Sequence, residues 1–83
     1  MILNKWNYNT HSYDKVNISD VYNCKTYSND MNEIVHCPHC GDEIKFGESY
    51  TSLEFHTKLG FGYAVCENCY ELEMERRKQY EKF

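Results

Sequence analysis

The chain has 83 residues, a formal charge of −4 and 41% hydrophobic residues, enough for one small domain and too little for two. No run approaches the ~20 apolar residues that cross a bilayer, and the apolar start "MILNKW" does not continue into the apolar core of a signal peptide. The reading is a soluble, cytoplasmic chain with no membrane partner, small enough to need a staple beyond its own core.

Residues 1–35 are rich in Asn and Tyr. They read as an N-terminal β-rich segment packing on the rest, with strands over "KVNIS" (15–19) and "DVYNCKTYS" (20–28) joined near Ser19 and Asp20. Trp6, Tyr8 and Tyr13 combine large apolar bodies with polar tips, which suits covering the following residues or contacting a partner. Cys24 stands alone and reads as a small buried apolar residue, a fifth metal contact being the alternative. "NIS" at Asn17 matches a glycosylation acceptor, but a cytoplasmic chain never meets that machinery. Abundant Asn, Lys, Tyr and Ile is what AT-rich coding favours, and points to a low-GC bacterium or its phage.

Residues 36–83 carry the chemistry. "CPHCG" places Cys37 and Cys40 two residues apart, and "CENC" repeats that spacing at Cys66 and Cys69, with 25 residues between the pairs. A two-residue spacer lets both sulfurs of a pair reach one ion, and four soft thiolates suit tetrahedral zinc, Zn2+. Pro38 fixes φ inside the first turn, and Gly41 supplies a position that tolerates φ > 0, the signature of a zinc knuckle. Five cysteines, an odd number, and no secretion signal weigh against a disulfide framework, and two separate pairs weigh against a redox Cys-x-x-Cys. His36, His39 and His56 leave open a mixed site of three cysteines and one histidine, with His39 read as exposed or supporting the ligands.

After the knuckle, Ser49–His56 and Phe61–Val65 alternate with period two around the Gly60 and Gly62 turn, and so read as a hairpin. The last stretch, 66–83, reads as a helix whose first turn holds Cys66 and Cys69, where N–H groups and the dipole favour thiolates. Glu71, Glu73 and Glu75 precede Arg76, Arg77 and Lys78, matching the macrodipole, with Glu73 and Arg77 four apart. Cys69, Leu72, Tyr80 and Phe83, and then Tyr70 and Met74, read as core-facing stripes, and the basic trio as a solvated face.

This order of knuckle, hairpin and ligand-bearing helix resembles the treble-clef zinc modules over residues 36–83. The resemblance implies a small α+β, zinc-stapled domain with Cys37, Cys40, Cys66 and Cys69 as ligands. It does not extend to the His-Asn-His nucleases of that group: His56 ends a strand, but the helix holds no histidine. A filled four-cysteine site also leaves no open catalytic position, so no enzyme activity is expected.

In size, acidity and cysteine pairs the chain is similar to small, phage-encoded, metal-binding anti-CRISPR proteins. That resemblance implies an inhibitor of the type II CRISPR-associated DNA endonuclease, whose channels for nucleic acid are basic. Trp6, Tyr8, Tyr13 and the acids Glu48 and Glu54, read as exposed, are its expected contacts. The alternative is a nucleic-acid-binding zinc-finger regulator using Arg76, Arg77, Lys78 and Lys82 on the helix, against which the net negative charge stands.

Overall fold

Alternation and a side-chain-closed turn build the first hairpin. In the computed structural model, which describes residues 1–80, Ile2–Asn7 forms β1 and Ser12–Asn17 forms β2, antiparallel in register from Ile2↔Asn17 to Asn7↔Ser12. Asn7 closes the turn by accepting the Asn9 N–H on its side-chain oxygen at 2.9 Å, the local bond Asn makes in turns. Leu3 is buried, and opposite it Val16 packs on the same apolar cluster with Ile18 and Phe55.

Two further hairpins follow. Ile34–His36 (β3) and Glu43–Lys45 (β4) pair antiparallel and bracket the first cysteine turn. Tyr50–His56 (β5) and Gly62–Val65 (β6) pair antiparallel, with an irregularity between Thr51 and His56. Gly62 lies so close to β5 that a Cβ there would stand 2.5 Å from the Ser52 carbonyl oxygen, so only glycine fits. One helix, Glu67–Tyr80 (α1), ends the described chain and packs on β5. Strands order as β2-β1-β5-β6 in a four-stranded sheet, with β3-β4 a separate ribbon. Residues on both sides of position 35 therefore share one sheet. No helix among the described residues is long and apolar enough to cross a membrane.

The hairpin over 49–65 and the helix beginning at the second cysteine pair agree with the sequence reading. Three expectations need correction. Residues 20–28 form no strand, and β1 lies upstream of both expected strands. The reason is visible in the backbone bonds of 20–28, which go singly to different elements: the Asn23 carbonyl accepts from His36 and the Lys25 carbonyl from Ala64. A segment that pins separate elements cannot also pair as a ladder.

Glu54 is not an exposed acid. It is 1% exposed and receives both Nε and Nη2 of Arg76, each at 2.8 Å. The expected apolar stripes dock the helix only in part: Tyr70 stacks on Tyr50 and Tyr80 on Tyr8. Leu72 and Met74 are exposed, and the buried residue of α1 is Glu73. Phe83 and Lys82 lie outside the described residues.

The loop before β3 is held by Glu33, which accepts from Ser28 Oγ at 2.6 Å and Asn23 Nδ2 at 3.1 Å and pairs with Lys25. The Lys25 hydrogen bond first, then those from Ser28 and Asn23, hold its carboxyl down to about 2. A depressed acid stabilises above its ordinary range and loses that contribution as pH falls through the folded value. The stability gap between wild type and Glu33→Gln is thus expected to be full above about pH 5 and to close toward about pH 2. Urea midpoints from pH 7 down to the pH at which the metal is released measure the onset of that closing.

Candidate metal centre

The two ends of the site are built by different local rules. The first pair sits on a tight turn after β3, where the Gly41 N–H donates to the Cys37 carbonyl at 2.7 Å and the Cys37 N–H to the Asp42 carbonyl at 3.0 Å. Gly41 takes φ +78°, and a Cβ there would also collide with the Tyr22 ring. Glycine is thus required twice over. The second pair opens α1, with the Tyr70 N–H donating to the Cys66 carbonyl at 2.9 Å.

The structure brings the Sγ atoms of Cys37, Cys40, Cys66 and Cys69 within 4.8 Å of one another. Cys40 and Cys66, from opposite ends, stand 3.7 Å apart. A tetrahedral site with metal–sulfur bonds of ~2.3 Å has sulfurs about 3.8 Å apart, whereas a disulfide needs ~2.05 Å. Backbone N–H groups of Asp42 and Cys69 point at the sulfurs of Cys40 and Cys66, as thiolates require.

Charge in the cluster asks for a cation. Burial pushes the Cys40 thiol up to about 12, and burial with a hydrogen bond from Cys66 raises Cys69 as well. Cys66 goes down on balance: burial opposes its ionisation, but bonds from the Cys69 N–H and the neighbouring thiols outweigh it. Unaided, these four sulfurs cannot all carry charge. A divalent cation at their centre removes that obstacle, and the donor set fits one.

The other candidates lie elsewhere. His36 accepts the Asn23 N–H on Nδ1 at 2.8 Å and stacks on Tyr22. His56 Nδ1 bonds the Tyr13 hydroxyl at 3.0 Å. Cys24 points its thiol at the His36 carbonyl, 3.4 Å away, and packs on the apolar cluster. Cys24→Ala is expected to cost about 1 kcal/mol and to leave metal content unchanged, as elemental analysis and a thermal melt read together. Loss of metal in that variant would reassign the ligands.

His39 has the role that sequence reasoning located only loosely. It lies between the first two ligands, 12% exposed, with its ring edge against Phe55. Its Nε2 bonds Glu73 Oε2 at 2.6 Å. The same carboxylate, 0% exposed, accepts from Ser52 Oγ at 2.5 Å and from the Leu53 N–H at 2.7 Å. Burial raises the Glu73 pKa, but bonds from His39, Ser52 and Leu53 bring it below the ordinary value, so the group is ionised. Glu73 thus ties the cysteine turn, β5 and α1 together. His39, Glu54 and Glu73 also converge within 4.8 Å. Ser52, the Leu53 N–H and the Arg76 guanidinium already occupy these carboxylates, making the trio part of a buried hydrogen-bond network.

Sequence reasoning missed Glu73, although a signal existed. Cys69, Glu73, Arg76 and Tyr80 follow at steps of four, three and four, one face of a helix. Since Cys69 must face the ion, Glu73 must face the same side.

No family model matches this chain, and neither a curated protein nor a solved structure matches it.

Proposed function

We propose that the protein is a zinc-stapled binding module of treble-clef-like build that inhibits a host protein by docking on it. The observation that carries this reading is the four-thiolate cluster. Such a soft, tetrahedral donor set suits Zn2+ and leaves the ion no position for substrate, so the metal is a staple and function falls to the outer surface. The target we assign is the type II CRISPR-associated DNA endonuclease. An acidic module of this size complements a basic nucleic-acid channel, and the likeness in size, composition and cysteine pairs to metal-binding anti-CRISPR proteins points the same way.

The nucleic-acid reading draws less support. Arg76, one of the four cations it needs, is engaged in both of its hydrogen bonds by Glu54.

The test is a DNA-cleavage assay with purified, guide-loaded endonuclease. Added holoprotein is expected to suppress cleavage and to co-elute with the nuclease, and metal-stripped protein to do neither. Undiminished cleavage at saturating holoprotein would overturn the target. Salt-sensitive retention on DNA resin without nuclease binding would favour the regulator.

A further inference from the structure

An outer strand leaves a row of backbone groups unpaired, and most proteins cover it. Here the loop over 20–28 covers two such edges. On β6 the Lys25 carbonyl accepts the Ala64 N–H at 2.8 Å. On β3 the Asn23 carbonyl accepts the His36 N–H at 2.9 Å, and the Asn23 side chain donates to the Ile34 carbonyl. The outer edge of β2 has no such cover. Met1 and Ile18 bond each other in both directions, at 2.7 and 3.0 Å, and the unbroken register that follows turns Val16, Asp14 and Ser12 toward β1. The N–H and C=O groups of Tyr13, Lys15 and Asn17 therefore point outward, and among the described residues nothing bonds them. No proline and no bulge interrupts the strand.

The charges on β2 select what can pair there. Asp14 and Lys15 are adjacent, so their side chains stand on opposite faces of the sheet. A second copy related by a two-fold axis would meet β2 antiparallel with like faces matched. In the registers of longest overlap Asp14 then falls opposite Asp14, or Lys15 opposite Lys15. Like charges directly opposite are destabilising, so the edge is set against its own copy. A foreign strand of reversed charge order meets no such conflict. Running antiparallel, it sets an acid against Lys15 and, one residue later, a base against Asp14. An apolar residue before them lies against Val16, and an aromatic one after them meets Tyr13, which stands edge to face with Trp6 at 5.1 Å. The two edge charges cancel, so such pairing is compatible with an acidic body docking on a basic surface.

We infer that the outer edge of β2 takes up an extended segment of the partner protein as an added antiparallel strand. Main-chain bonds at Tyr13, Lys15 and Asn17 hold the segment, and the side chains opposite Val16, Lys15, Asp14 and Tyr13 select it. The inference rests on the binding-module reading and names the element that grips the partner.

The probe is the capped peptide Thr-Val-Glu-Lys-Tyr-Thr, added to the metal-loaded protein and followed by amide hydrogen exchange. In the free protein the Tyr13, Lys15 and Asn17 amides are expected to exchange fast and those of Asp14 and Val16 slowly. Saturating peptide is expected to slow the first three at least about tenfold. One counterpart has its glutamate and lysine exchanged, at the same net charge. Another is N-methylated at the glutamate, which removes a bond to β2. Each is expected to bind on the order of tenfold more weakly. Lys15→Pro removes only an outward N–H, which an outer strand tolerates, and is expected to abolish peptide binding. The double variant Asp14→Lys, Lys15→Glu keeps the backbone and the net charge and is expected to prefer the exchanged peptide. Slow exchange of the three amides in the free protein, no response to the peptide, or equal binding of either counterpart overturns the inference. A dimer that protects those amides does the same. Full endonuclease inhibition by Lys15→Pro with peptide binding lost overturns the edge alone. Peptide binding by the wild type without inhibition supports the edge and overturns the target alone.

Discussion

Cys66→Ser, or a strong chelator acting on the wild-type protein, is expected to abolish cooperative melting of residues 36–83 and binding of the partner with it. Cys66 is the ligand with most to lose. Its sulfur reaches across to Cys40, 26 positions away in sequence, and gathers hydrogen bonds from the Cys69 N–H and the surrounding thiols. Serine offers a harder and weaker ligand and leaves three thiols crowded together with no full coordination shell. Structural zinc contributes an apparent ~10–16 kcal/mol in small peptides at neutral pH, as much as the ~5–15 kcal/mol net stability of a whole domain. Few apolar groups stand in reserve, since the main buried cluster is Leu3, Ile18 and Phe55. Circular dichroism melts before and after verified metal removal decide the point. A retained sigmoidal melt in the metal-free protein would contradict it.

Glu73→Ala is expected to cost about 3–5 kcal/mol with metal saturating, the range for removing one partner of a buried ionic network. The substitution strands His39 Nε2, the Ser52 hydroxyl and the Leu53 N–H in a site where the carboxylate is 0% exposed, and unmet buried donors are expensive. Glu73→Gln keeps one acceptor oxygen and loses the charge, so it is expected to fall between wild type and alanine. Urea denaturation at saturating metal measures both. A change below about 1 kcal/mol for the alanine variant would place it among ordinary surface substitutions and remove Glu73 from the frame.

The cysteine pairs were legible in sequence because their rule is local. Two residues between ligands, a proline and a glycine in the turn, and a helix start under the second pair all lie within a few positions of each other. The hairpin over β5 and β6 was legible for the same reason, through alternation and two glycines. What docks the helix was not, because periodicity counts apolar residues as the buried ones. Here Leu72 and Met74 face out, while Glu73 and Arg76 face the sheet and meet partners on His39 and Glu54, which lie 34 and 22 positions away. No window of sequence contains both halves of such a pair. The loop over 20–28 escaped for a related reason: its Tyr, Val and Thr content favours strand, but its backbone groups are claimed one by one by distant elements.

The bond from His39 to Glu73 and on to the Leu53 N–H starts inside the cysteine turn and ends on β5. The cysteine turn and β5 are thereby held to one carboxylate. On the binding-module reading proposed above, a cell starved of the ion is expected to produce a chain that is present but inert, so that trace-element supply sets the dose of active protein alongside its expression.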